Sequence, residues 1–275
     1  VIMTYLKTFT SFLFAFLFIF TSADANESTF WFGITTGYVV PIHIGTFNFA
    51  NPSDKVTFGQ HSFTLGTGSG YYIGLNGLIF QNKESTNSIG VNIGYSHTSS
   101  YSDTPGDNYS SKKSNGENIN SATYFSNSFS AHSISAEFNL HYKPFNQYKL
   151  GVKAGLSTTY IFSSNYDYRY ELDFDESNPE IKFTDLPFDT AHTIRGYHPR
   201  FTHSYQTGIQ LYKGDLPDLT PLQISLQAGI FYDIFLENCV LTPGLSYRFP
   251  ITTLTSSQSW RVSEFYFTST LQFSI

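Results

Sequence analysis

Residues 95–100 read YSHTSS, and a strand through them would set His97 and Ser99 on one face. A histidine beside a serine hydroxyl is the pairing of a general base with a nucleophile. No carboxylate can be assigned as a third member, so plain polar residues at a strand end are the better expectation. A second set carries charge: Glu137, Lys153, Asp233, Arg248 and Glu264 each stand in a stretch that alternates apolar with polar residues. Charges of opposite sign on one face would pair and cross-link an interior; a proton path or ligand site through the same cluster is the sharper but less favoured reading. A third set gathers between 163 and 221, where His192, His198 and His203 accompany Asp167, Glu171, Asp173, Asp175 and Glu176. Its spacing matches no EF-hand or zinc pattern, so a solvated acidic segment is expected, with no metal and no cofactor. Cys239, the single cysteine, has no partner for a disulfide or a zinc site. The chain carries neither a glycine-rich phosphate loop nor a nucleophile elbow.

Composition narrows what must position these groups. The chain has 275 residues with 15 basic and 21 acidic side chains, a net charge of −6 and no Lys/Arg-rich run. That excludes the electrostatic footprint of a nucleic-acid binder. Only 13% of residues are charged, while 20 Tyr and 28 Phe supply much of the apolar surface, which favours strands over helices. Residues 3–25, MTYLKTFTSFLFAFLFIFTSADA, combine Lys7, an apolar run from Phe12 to Phe20 and an Ala23-Asp24-Ala25 site. This is the pattern of a cleaved secretory signal, and the run is too short for a spanning helix. Residues 1–25, with Val1 and Ile2 upstream of Met3, are expected to be the signal peptide, and 26–275 one exported domain.

Period-two alternation then recurs along the exported chain, and no long segment has a helical period. It predicts strands over Phe30–Ile42, Tyr71–Phe80, Ile89–Ser99, two more within 133–157, and then Leu222–Leu236, Cys239–Ile251 and Val262–Ile275. The connections at 82–88, 143–147 and Glu237-Asn238 are short; those at 43–70, 100–130, 163–221 and 252–261 are longer, and the two kinds alternate. Ten-residue alternating segments with that asymmetry in an exported chain are the signature of a transmembrane β-barrel. The expected fold is therefore all-β: an eight-stranded antiparallel up-and-down transmembrane β-barrel with long extracellular loops. Ser204–Lys213 reads as an arm within the third long loop, and Tyr166, Tyr168, Tyr170 and Phe174 as strand five continuing beyond the membrane. Trp31, Tyr142, Phe145, Tyr160, Trp260 and Phe265 fit aromatic girdles.

The stretches GSGYYIGLNGLIF (68–80), GVNIGYSHTSS (90–100), FNLHYKPFNQYKLGVKAGLSTTYIF (138–162), GDLPDLTPLQISLQAGIFYDIFLENCVLTPGLSYRFPITTL (214–254) and FYFTSTLQFSI (265–275) carry a resemblance. The chain resembles the eight-stranded outer-membrane barrel proteins of Gram-negative bacteria, the OmpA- and OmpX-like barrel domains and their PorT-like relatives. The resemblance implies a bacterial outer-membrane location, partners among outer-membrane lipids including lipopolysaccharide, the barrel-assembly machinery, and an extracellular ligand for the loops. In a barrel the oily face meets lipid and the charged face meets the lumen. A turn over 143–147 would oppose Tyr142 to Tyr148 and hence Glu137 to Lys153; Arg248 would lie near Glu264, with Asp233 a further inward carboxylate. These five residues are expected to plug the lumen. The leading function is a structural or surface-interaction barrel without enzymatic activity. The alternatives are a lipid-modifying enzyme, because His97 and Ser99 resemble the His-x-Ser of an outer-membrane lipid A deacylase, and a narrow channel or secretion accessory.

Overall fold

The computed structural model describes residues 29–48, 62–80, 86–112, 116–144, 149–173, 182–183, 194, 196–202 and 206–274. The proposed signal segment lies outside them. Thirteen strands are present and no helix occurs among the described residues. The long strands are β1 (Thr29–Asn48), β2 (Ser62–Phe80), β3 (Asn87–Pro105), β6 (Thr123–Tyr142) and β7 (Leu150–Leu172); β10 (Leu222–Tyr232), β12 (Val240–Pro250) and β13 (Arg261–Ser274) are shorter. Five smaller pieces complete the set: β4 (Tyr109–Lys112), β5 (Asn118–Ser121), β8 (Arg200–Phe201), β9 (Gly208–Gly214) and β11 (Ile234–Phe235).

β10, β12, β13, β1, β2, β3, β6 and β7 follow one another as neighbours, and β7 pairs antiparallel with β10. Eight strands therefore close on themselves in one sheet, so the ring has no free edge where these pairings run. β8 and β9 continue the sheet along the last third of β7, and β4–β5 form a separate hairpin.

Each predicted strand core is present, yet several strands run further than alternation indicates. β1 reaches Asn48, β2 begins at Ser62, β3 reaches Pro105 and β6 begins at Thr123, inside stretches expected to be loops. The ladder is made by backbone groups, so once the apolar segments set a register it continues through Ser- and Asn-rich sequence without an apolar face. The expected arm is β9, which pairs with Tyr166–Glu171 of β7. Around the break at Asp233, the sixth predicted segment divides into β10 and β11.

The two faces of the ring are chemically inverted. Outward residues such as Ile34, Ile73, Leu75, Leu140, Leu156, Leu226, Ile230 and Phe267 are large, apolar and about half exposed. Inward residues at the same heights are polar and buried: Thr35, Asn76, Asn92, Ser135, Glu137, Asn139, Gln227, Arg248 and Gln272. Space inside is made by small residues. A Cβ on Gly94 would stand 2.4 Å from the Tyr72 ring, so that position has to be glycine for Tyr72 to lie flat across the wall.

Beyond the polar zone, away from the short turns, the interior becomes apolar. Phe125, Phe129, Tyr166, Tyr168, Ile209, Leu211, Leu254 and Trp260 belong to one buried cluster. A bulge makes this possible: His132 pairs with Ser163 and Ser133 with Ile161, leaving Phe162 extra. Below it the odd residues Gly151, Ser157 and Ile161 face in; above it Ser164, Tyr166, Tyr168, Tyr170 and Leu172 do. One additional residue in one strand turns the following side chains to the other face. Trp260, on the β12–β13 connection, donates from Nε1 to His43 Nδ1 at 2.9 Å.

Candidate functional site

Halfway along the ring a belt of polar side chains crosses the interior. Arg248 on β12 donates from Nη2 to Glu137 Oε1 at 2.6 Å, and from Nη1 to Glu264 Oε2 at 3.3 Å and Tyr266 Oη at 2.7 Å. Its guanidinium also lies over the Tyr266 ring, 4.2 Å from the centroid. Glu137 Oε2 accepts from Asn92 Nδ2 and Gln227 Nε2, both at 3.1 Å. The chain of amides continues from Asn92 to Asn76, and Gln272 Nε2 donates to Asn76 Oδ1 at 2.6 Å. The belt thus leaves β13 at Gln272 and returns to β13 at Glu264 and Tyr266. An ion pair taken out of water is tolerable only when the remaining lone pairs and protons are hydrogen-bonded. Here Asn92 of β3 and Gln227 of β10 bond Glu137, Tyr266 and Glu264 of β13 bond Arg248, and Arg248 Nε keeps no partner among the described residues.

Of the five charges expected inside, Arg248 and Glu264 meet as predicted, directly opposite in the β12–β13 register. The expected Glu137–Lys153 opposition does not occur. Glu137 stands opposite Ser157, and Lys153 opposite His141. Tyr142 pairs with Val152 instead of Tyr148, so the turn is longer than alternation suggests and every cross-strand partner shifts by four positions along β7. The partner of Glu137 is Arg248, which no local pattern indicates. Asp233 points inward as expected, forms an ion pair with Lys143 and accepts from Thr242 Oγ1 at 2.8 Å.

Between the belt and the short turns lies a cavity of about 380 Å³. Glu137, Tyr72 and Tyr266 are at its inner end; Lys153, His141 and Phe231 form its wall; Trp31, Phe80, Lys143 and Phe235 come from strand ends on the turn side. Trp31 therefore faces the interior and Trp260 is buried in the apolar cluster, so neither tryptophan belongs to an outer girdle. Tyr142 and Tyr160 do face outward, whereas Phe145 lies outside the described residues.

On the outer wall, His97 and Ser99 share a face without a hydrogen bond to each other. The β3–β6 register sets His132 opposite His97 and Ser130 opposite Ser99. The two imidazoles stack with centroids 4.3 Å apart, and Tyr95 Oη lies 2.7 Å from His132 Nδ1. No group of three or more His, Cys, Asp or Glu able to hold a metal occurs among the described residues. The register across the 100–130 segment reveals His132; its spacing from His97 in sequence gives no sign of it.

Of the third set, His192, His203, Asp175 and Glu176 lie outside the described residues, as does Phe174. His198 is exposed. Asp167 accepts two hydrogen bonds from Arg169, at 3.0 and 2.8 Å, and two from Gln210 Nε2, each at 3.0 Å. Burial alone would raise its pKa; the bonds from Arg169 and Gln210 outweigh that and hold the carboxyl below its ordinary range.

No protein-family model matches the chain. No curated protein matches it either. Among solved structures it is similar to Neisserial surface protein A (9% identity, 88% of this chain and 96% of that one, TM-score 0.31). It is also similar to Ail, the attachment invasion locus protein of Yersinia pestis, solved with the heparin analogue sucrose octasulfate (10% identity, 89% and 99%, TM-score 0.32). A third is the outer membrane protease OmpT of Escherichia coli (8% identity, 92% and 98%, TM-score 0.29). Similarity of this size carries no inference about this chain, and the functional reading rests on its own geometry.

Proposed function

We propose that the chain is an integral outer-membrane β-barrel of eight strands with a plugged lumen, and that it acts as a structural or surface-interaction protein and not as an enzyme. The observation that carries this is the inverted ring. Half-exposed Ile, Leu, Phe and Tyr cover the outside, while amides, hydroxyls and an Arg–Glu pair fill the inside. In water such an exterior would be an apolar patch far beyond what a soluble monomer displays; in lipid it is the solvated face. On β10 the band runs from Leu222 to Tyr232, which matches the roughly 9–11 residues that a tilted strand needs to cross a bilayer. The short turns at one end and the extended β3, β6, β7 and β9 at the other support a periplasmic and an extracellular side respectively. The belt and the aromatic cluster, in series along the interior, support a lumen closed to ions. The β4–β5 hairpin and the β7–β9 arm are the surfaces available to a partner.

The test is behaviour in lipid. Detergent-folded protein should migrate differently on gels before and after heating, resist carbonate extraction from vesicles and give no steady conductance in planar bilayers. A monodisperse folded chain in plain buffer would overturn the membrane reading; a large steady conductance would overturn the plug.

A further inference from the structure

We propose that the cavity on the turn side of the belt binds a small organic carboxylate, held by Lys153 and His141. The inference goes beyond the barrel reading, which assigns the lumen no ligand. Both carboxylates on the cavity wall are already matched: Asp233 by Lys143, and Glu137 by Arg248. Lys153 has no carboxylate within ion-pair distance among the described residues. Directly opposite it, His141 keeps an enclosed Nε2 with no hydrogen-bond partner. The enclosed ring nitrogen carries the cost of desolvation without a partner, and the partly exposed Lys153 ammonium lines the cavity with no ion pair of its own among the described residues. One oxygen of a carboxylate would meet the Lys153 ammonium, and a turn of the His141 ring away from Gly90, where its Nε2 is enclosed, would bring its Nε2–H to the second.

Shape and lining define the rest of the ligand. The volume of about 380 Å³ falls at the small end of the roughly 300–1,000 Å³ usual for small-molecule sites. Phe231 lies against His141, ring centroids 5.0 Å apart, and Trp31, Phe80 and Phe235 extend an aromatic wall towards the mouth. The occupant is thus a monocarboxylate with a compact apolar body, and it enters from the turn end because the belt closes the other.

The two tryptophans of the chain provide the assay, since Trp31 lines the cavity and Trp260 does not. In the full chain folded in detergent with Trp260→Phe, titration with benzoate should change Trp31 emission saturably. Benzamide, of the same shape without the charge, should not. Lys153→Gln and His141→Gln should each weaken benzoate binding about tenfold or more, the size of one lost charge-assisted hydrogen bond. Absence of saturation, equal binding of benzamide, or unchanged affinity in both variants would overturn the proposal. Heat-modifiable migration checks folding separately, so a chain that folds in detergent yet ignores benzoate loses the ligand and keeps the barrel. If Lys153→Gln does not fold, the comparison of the two probes and His141→Gln decide.

Discussion

Arg248 and Glu137 are 111 positions apart, on strands that are not neighbours in the ring, and they meet at 2.6 Å in its interior. Glu264, the cross-strand partner of Arg248, is the weaker contact at 3.3 Å. The pair therefore acts as a strut across the ring, tying the β6 wall to the β12 wall where no backbone ladder joins them.

Removal of one partner of such a pair leaves the other charged and buried, which commonly costs about 3–5 kcal/mol. Glu137→Gln and Arg248→Met should each destabilise the protein towards urea in lipid vesicles, and the double variant should recover much of the loss. A cycle of Glu137→Gln with Lys153→Gln should show a smaller coupling, because those residues are not paired across strands. A larger coupling to Lys153 than to Arg248 would refute the geometry.

The bulge at Phe162 supplies the extra residue that turns Tyr166, Tyr168 and Tyr170 inward. Deletion of Phe162 should be absorbed, since Ser163 already pairs with His132. Insertion of one alanine between Phe162 and Ser163 should instead remove the bulge by lengthening the strand, leaving the tyrosines inward but two positions out of place along β6, with Tyr166 opposite Asn127 instead of Phe129. Near-UV circular dichroism and the protease resistance of residues 164–214 should survive the deletion and be lost on insertion.

Acid should loosen the β7–β9 arm before the ring. The Asp167 carboxyl is held below its ordinary value of 3.8, so its stabilising contribution is complete above that value and is lost as pH falls through the lower folded pKa. Limited proteolysis of the arm at descending pH should show this, and Asp167→Asn should start from a weaker arm and lack that part of the pH dependence. An arm equally resistant at all pH values in both proteins would contradict the assignment.

The outward His97–His132 pair has a serine on each side strand but no carboxylate among its described contacts. Wild-type protein and Ser99→Ala should leave lipid A equally unmodified by mass spectrometry. Loss of an acyl chain with wild type alone would make the chain an enzyme of the lipid surface.

The outward-versus-inward division of side chains was legible in the sequence, because strand alternation is a local property: Ile224, Leu226 and Ile230 share a face in any strand that contains them. The same rule placed Arg248, Asp233 and Glu264 on the interior side, and the longer connection at 252–261 put Arg248 near Glu264, which the structure sets directly opposite. What alternation cannot supply is the length of a turn. The connection after Tyr142 accommodates more residues than the apolar pattern requires, and Glu137 consequently faces Ser157. Nor can it supply contacts across the ring. Glu137 meets Arg248 only because eight strands close with one particular stagger, a property of all the registers together, whereas His97 meets His132 through the β3–β6 register alone. The bulge at Phe162 is of the same kind. Nothing in IFSSNYDY announces a skipped residue; the cluster around Trp260 rewards the turned tyrosines with burial, and that cluster exists only in the folded chain.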